Sequence, residues 1–234
     1  VCGMASIGAD VTDLFNVLTG LSRQQTFRRL LVAPHSLRSR FLELVDREIA
    51  HAAAGHHARI VLKLNAIVDV AVIEALYRAS NAGVDIDLIV RGACSIQPGV
   101  PGVSERIRVR SIIGEFLEHS RIWSFENGGS REWYIGSADL MDRNLDRRVE
   151  AVVPVEDHDA GERLTEIVGL MLADGRRSWQ LRTDATWVRT EVVLGRTGTI
   201  DTFEALKQDA LERGQAFGLP HRPGAGAGSL DPRA

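Results

Sequence analysis

His119 and Arg121 stand two positions apart, and Gly136-Ser137, Asp139 and Asn144 follow them closely in the chain. A neutral imidazole can take or give a proton near neutral pH, because its reference pKa is about 6.5. A guanidinium presents a flat fork of donors that fits two oxygens of one phosphate. On a strand, residues i and i+2 share a face, so the ring of His119 and the fork of Arg121 are expected to open into one pocket. His119 is the candidate catalytic group. Asn65, Arg91, Arg121, Ser137, Asp139, Asn144 and Arg147, with His119 itself, are the candidate contacts for a phosphate. No lysine lies between Lys63 and Lys207, so the stretch from Arg91 to Glu150 is expected to use guanidinium groups alone. Arg outnumbers Lys 26 to 2, and genome composition suffices to explain the arginines outside that stretch. His57 in His57-Ala-Arg59 opens a strand with no Gly-Ser partner downstream and reads as linker. The other histidines fall at helix ends or in the tail.

The elements that must position these groups alternate between strand and helix. Arg59 to Asn65 reads as a buried strand, Asp69 caps a helix that Gly83 ends, and Asp85 to Val90 is the next strand. Strand, helix, strand makes a right-handed crossover, and ligands of open α/β sheets collect at the ends of such strands. Asn65 and Arg91 sit at those two ends. Beyond a Pro98 to Gly102 loop, Ile107 and Val109 share one strand face and Arg106, Arg108 and Arg110 the other, as a solvated row or a ligand set. Ile113 to Leu117 reads as a short helical connection. Arg121 to Phe125 and Glu132 to Ile135 flank an Asn127-Gly-Gly turn and form a hairpin that carries Gly136-Ser137 to the His119 end. Arg148 to Val155 is a further strand and Asp157 to Asp174 a helix, and a short hairpin follows between Trp179 and Trp187. Asp10 is expected to cap a first helix, Ser36 a second, and Asp201 a last one ending at Arg213.

Composition bounds the class. A chain of 234 residues, 44% hydrophobic and 25% charged, can bury a core without staples. A net charge of −3 gives no bulk attraction to nucleic acid or acidic membranes, so a polyanion must meet a local arginine cluster. Cys2 and Cys94 cannot form a disulfide framework, and no Cys/His spacing fits structural zinc. With no apolar run of the ~18 residues that span a bilayer, the expected location is cytoplasmic.

The strings LNAIVD (64–69), IDLIVRG (86–92), PGVPGVSERIRVRSIIGEFLEHSRI (98–122) and GSADLMDRNLDRRVE (136–150) resemble the polyphosphate kinase family. The likeness runs from about residue 10 to about residue 190 and is to that family's C-terminal catalytic domain. It implies an α/β fold with a phospholipase D-like mixed sheet flanked by helices. It also implies reversible transfer of the ATP γ-phosphate to long-chain polyphosphate through a phosphohistidine, with Mg2+ entering alongside ATP. The family's nucleotide-contacting arginine falls on Arg91 and its second-site histidine on His119. The phosphohistidine belongs to a His-x-Lys segment of the preceding domain, and this sequence has no His-x-Lys. Residues 1–33 are therefore read as the tail of that preceding domain, 34–190 as the C-terminal catalytic domain, 191–213 as a helical extension and 214–234 as a disordered tail. The chain is read as a C-terminal fragment, weakly active or inactive alone, with ATP/ADP and inorganic polyphosphate as partners. It is expected to be a homo-oligomer or to need the missing catalytic half.

Two rivals stay open. In the His-x-Lys, Gly-Ser pattern of phospholipase D phosphodiesterases, Arg121 would replace the lysine and two His119 sites would face each other in a dimer. The chain could instead bind polyphosphate or nucleotide without turnover.

Overall fold

The computed structural model describes residues 5–195 and 198–216. Its strands are β1 (Leu31–Ala33), β2 (Arg59–Leu64), β3 (Asp85–Val90), β4 (Ile107–Ile112), β5 (Ile122–Phe125), β6 (Glu132–Gly136), β7 (Glu150–Val155), β8 (Ser178–Leu181) and β9 (Trp187–Arg189). Its helices are α1 (Ala5–Leu18), α2 (Leu37–Ala53), α3 (Val70–Asn81), α4 (His158–Ala173), α5 (Thr190–Leu194) and α6 (Thr202–Ala216). The strands form one mixed sheet in the order β1-β7-β6-β5-β2-β3-β4-β8-β9.

The centre of the sheet is parallel because its connection is a helix. β2 and β3 are near-continuous apolar runs, as strands covered on both faces must be, and they pair residue for residue from Arg59↔Asp85 to Leu64↔Val90. Asp69 caps α3 between them, its carboxylate accepting the Val72 N–H at 3.0 Å. β4 runs parallel to β3, whereas β5, β6 and β7 follow one another antiparallel on the other side of β2. This register puts the exits of β2, β3 and β6 and the entries of β5 and β7 on one rim of the sheet.

α2 and α3 cover one face, where Phe41 meets the Trp123 ring edge-on at 5.1 Å among buried Leu62, Leu88 and Val90. α4 covers the other face with Val168 and Met171, and Phe203 of α6 joins it. The α/β expectation of a mixed sheet flanked by helices therefore holds. The strand at residues 31–33, on the preceding-domain side of the 33/34 boundary, is hydrogen-bonded to β7 as an edge strand.

Several local expectations are corrected. Asp10 is no cap, since α1 already begins at Ala5, and its buried carboxylate instead takes the backbone N–H groups of Arg28, Arg29 and Leu30. Ser36 precedes α2 without a side-chain cap bond. Residues 113–117 are not helical. α6 runs on to Ala216, and residues 217–234 of the expected disordered tail lie outside the described residues. The arginine row on β4 answers aspartates on β3. Arg106 reaches Asp85 at 3.2 Å, and Arg108 meets Asp87 at 2.8 Å while Arg59 holds Asp87 from β2 at 2.7 Å. Arg110 donates to the Leu172 carbonyl. These contacts satisfy the row within the fold, so nothing in it requires a ligand.

Candidate functional site

Arg91 is the first residue beyond β3, and Gly92 follows where the chain runs against the exit of β2. The Gly92 N–H donates to the Asn65 carbonyl at 2.7 Å, and a Cβ at Gly92 would lie 2.8 Å from that same oxygen. Glycine is what permits the approach. From there the Arg91 guanidinium reaches across the rim, with Nη2 3.2 Å from Nδ1 of His119. A guanidinium can only donate, so Nδ1 is the acceptor and the neutral ring carries its proton on Nε2. Both side chains are accessible to solvent, Arg91 partly and His119 more fully.

Arg121 does not open its fork beside the ring. Its Nη2 lies 2.8 Å from Asp139 Oδ2 and its Nε 3.3 Å from Oδ1, while Nη1 donates to the His119 carbonyl at 2.7 Å. Arg121 is therefore spent on positioning the backbone of His119, and sequence spacing alone could not show that. Burial pushes the Asp139 carboxyl up, but Arg121 and the backbone N–H groups of Asn65 and Ala66 outweigh it and hold the group below the usual carboxylate range. The Asn65 N–H makes the shorter of those two contacts, at 2.7 Å. The Asn65 side-chain oxygen is buried without a partner.

Ser137 and Asn144 converge on a residue missing from the predicted set. Glu150, the first residue of β7, accepts from the Ser137 hydroxyl on one oxygen and from Asn144 Nδ2 on the other, the latter at 2.6 Å. The Asn144 side-chain oxygen, like that of Asn65, is buried without a partner. A carboxylate opening a strand just beyond a Gly-Ser step was the available signal for Glu150. Gly136 is equally constrained, since a Cβ there would stand 2.5 Å from the Ala151 carbonyl oxygen. Arg147 ends the short π-helical segment Arg143–Arg147, is exposed, and makes no hydrogen bond or ion pair with the others among the described residues.

One ammonium serves this stretch from outside it. Lys63, near the end of β2, is 3% exposed, and its ammonium donates to the Ser120 carbonyl at 3.0 Å beneath the loop that carries His119. It lies outside the Arg91–Glu150 window in sequence, but pairing of β2 with β5 brings Lys63 opposite Ile122.

The rim thus presents Arg91, with spare donors, against the imidazole of His119, backed by two buried networks centred on Asp139 and Glu150. Residues 30–197 match the family described as polyphosphate kinase C-terminal domain 2. The chain belongs to that family. The polyphosphate kinase of Thermosynechococcus vestitus is 60% identical over 181 residues, which is 77% of this chain and 25% of that protein. The polyphosphate kinase of Streptomyces coelicolor is 52% identical over 183 residues, 78% of this chain and 24% of that protein. The crystal structure of the polyphosphate kinase from Porphyromonas gingivalis is similar with a TM-score of 0.83 at 35% identity, covering 90% of this chain and 32% of that one. This polyphosphate kinase domain therefore spans about a quarter of the length of the curated relatives it matches. Among its described residues, no helix is long and apolar enough to cross a membrane.

Proposed function

We propose that this polyphosphate kinase domain binds the phosphoryl groups of ATP or ADP and the end of a polyphosphate chain at Arg91 and His119. There it would serve reversible transfer of the ATP γ-phosphate to polyphosphate, with His119 as a hydrogen donor and not as the covalent nucleophile. The observation that carries this reading is the 3.2 Å contact from Arg91 Nη2 to His119 Nδ1. Attack on phosphorus by Nε2 needs its lone pair free and the ring proton on Nδ1. With Nδ1 facing a group that only donates, Nε2 keeps the proton and can give it to a phosphoryl or leaving oxygen.

In the net reaction the bond from the γ-phosphorus to the ATP bridging oxygen breaks, and one from that phosphorus to a terminal polyphosphate oxygen forms. Transfer of this kind depends chiefly on alignment and on neutralising charge over the equatorial oxygens. Arg91 supplies the charge, Arg121 and Asp139 fix the backbone of His119, and the Glu150 network holds Ser137 and Asn144. The phosphohistidine implied by the family likeness is then a residue other than His119.

Among the described residues no three His, Cys, Asp or Glu side chains gather to hold a magnesium ion. Both oxygens of Asp139 are taken by Arg121 and backbone N–H groups, and both oxygens of Glu150 by Ser137 and Asn144. Magnesium accordingly enters as part of the nucleotide substrate, bound to its phosphates.

Incubation of the chain with γ-labelled ATP and Mg2+ tests the assignment of His119. The expected result is no acid-labile label on this residue, and acid-labile phosphate on His119 would overturn it.

A further inference from the structure

Residues 117–120 have no regular secondary structure, so the carbonyls of Glu118, His119 and Ser120 lie outside the strand ladder and need donors from elsewhere. Two cations supply them. Arg121 takes the His119 carbonyl at 2.7 Å, and Lys63 takes that of Ser120 at 3.0 Å, with the Glu118 carbonyl at 3.5 Å. The Glu118 carboxylate closes the arrangement, 3.5 Å from the Lys63 ammonium and 2.8 Å from the Ser120 hydroxyl that donates to it.

We infer that Lys63 is a positioning residue of the phosphate site: its buried ammonium clamps the backbone on both sides of His119 and so keeps the imidazole Nδ1 against Arg91. The inference rests on the proposed phosphate site for its consequence in binding, though the clamp itself is a matter of geometry.

A structural filler does not account for this residue. Lys63 occupies a strand position whose side chain is 4% exposed, where a leucine or methionine would avoid desolvating a charge. Burial pulls the ammonium below its usual range, with Glu118 opposing that pull and the nearby charges of Arg91 and Arg121 adding to it. Lys63 thus sits where burial disfavours its charge, held by the Glu118 carboxylate and the loop carbonyls. What the side chain does there is donate to the two carbonyls flanking His119.

The test compares the full chain with K63M and K63R. Three readouts are needed: thermal unfolding, the ¹⁵N shifts of the two His119 ring nitrogens, and calorimetric affinity for tripolyphosphate. In the wild type the shifts are expected to show one tautomer, protonated on Nε2. In folded K63M they should move toward averaged tautomers, and affinity should fall about tenfold, as when a supporting partner of a ligand-binding group is lost. K63R, which still donates to both carbonyls, should restore the single tautomer and most of the affinity.

A folded K63M with unchanged tautomer and affinity would overturn the inference, as would a folded K63R no better than K63M. If K63M does not fold, the wild-type Lys63 ammonium signal decides. Slow proton exchange with a coupling to the Ser120 carbonyl supports the clamp, and a freely exchanging ammonium refutes it. Failure of the wild type to bind tripolyphosphate would sink the phosphate-site reading, while the ring-nitrogen shifts would still judge Lys63.

Discussion

Arg121 and Asp139 form an ion pair at 2.8 Å in which the side chains are only 12% and 8% exposed. Through it, the entry of β5 and the exit of β6 are tied together. The second Asp139 oxygen accepts the Asn65 N–H at the exit of β2, so one carboxylate gathers three strand ends under His119. Replacing Asp139 by Asn removes the charge that pairs with a largely buried guanidinium. Breaking such a pair from one side costs roughly 3–5 kcal/mol. Urea unfolding of D139N is expected to show a loss in that range with an unchanged slope, and a loss below about 1 kcal/mol would mean that the pair contributes little.

Acid should find the same group. For both Asp139 and Asp87, burial pushes the carboxyl up and is outweighed by arginine partners, Arg121 for the first and Arg108 with Arg59 for the second. Each folded-state value therefore lies below the ordinary one. A lowered folded pKa contributes stability that is fully present above the unfolded value of about 3.9 and is lost as pH falls through the folded value. The urea midpoint is predicted to hold steady above about pH 5 and to drop below about pH 4, with a shallower drop in D139N. A midpoint that rises on acidification would contradict the assigned direction.

Glycine substitutions should split by location. At Gly136 a new Cβ would meet the Ala151 carbonyl oxygen at 2.5 Å and the Val152 Cα at 2.8 Å, both backbone atoms. G136A is expected to cost about 1–3 kcal/mol or more and to displace Ser137 from Glu150. Gly169 lies on the exposed side of α4 with nothing within 4 Å of a new Cβ. G169A should stabilise by about 0.5–1 kcal/mol, because alanine loses less freedom in a helix. Thermal unfolding of the two variants gives both signs in one experiment.

Glu150 holds Ser137 and Asn144 at once, so its removal should loosen both. E150A is expected to weaken tripolyphosphate binding about tenfold, the size of effect seen when a supporting partner is lost. An affinity equal to that of the wild type would confine Glu150 to the fold.

The sequence made the rim legible because local rules agreed there. Apolar runs at residues 59–65 and 85–90 around an Asp69 cap could only be a crossover, and its strand ends had to carry Asn65 and Arg91. The hairpin after Arg121 then returned Ser137 to the same edge. What spacing could not show was how charges would be shared across strands. The row Arg106, Arg108 and Arg110 looks available for a ligand until β3 places Asp85 and Asp87 beside it. Arg121 looks free until Asp139 arrives from β6. Lys63 was invisible as a site residue because its role depends on strand pairing and not on neighbours in the chain. The reading of Asp10 as a cap failed for a related reason: a tertiary partner, the backbone at residues 28–30, took its carboxylate.

The central claim is that Arg91 and His119 together hold a condensed phosphate, and calorimetric titration of the chain with tripolyphosphate tests it most directly. The wild type should bind saturably, more weakly as salt is raised, since the ligand meets a solvent-accessible guanidinium. Arg91→Ala and His119→Ala should each lose at least about tenfold, the scale of a lost charge-assisted contact. Arg106→Ala, at the opposite end of the sheet and already paired with Asp85, should bind like the wild type. Binding that survives both rim substitutions, or that falls equally in Arg106→Ala, would contradict the account.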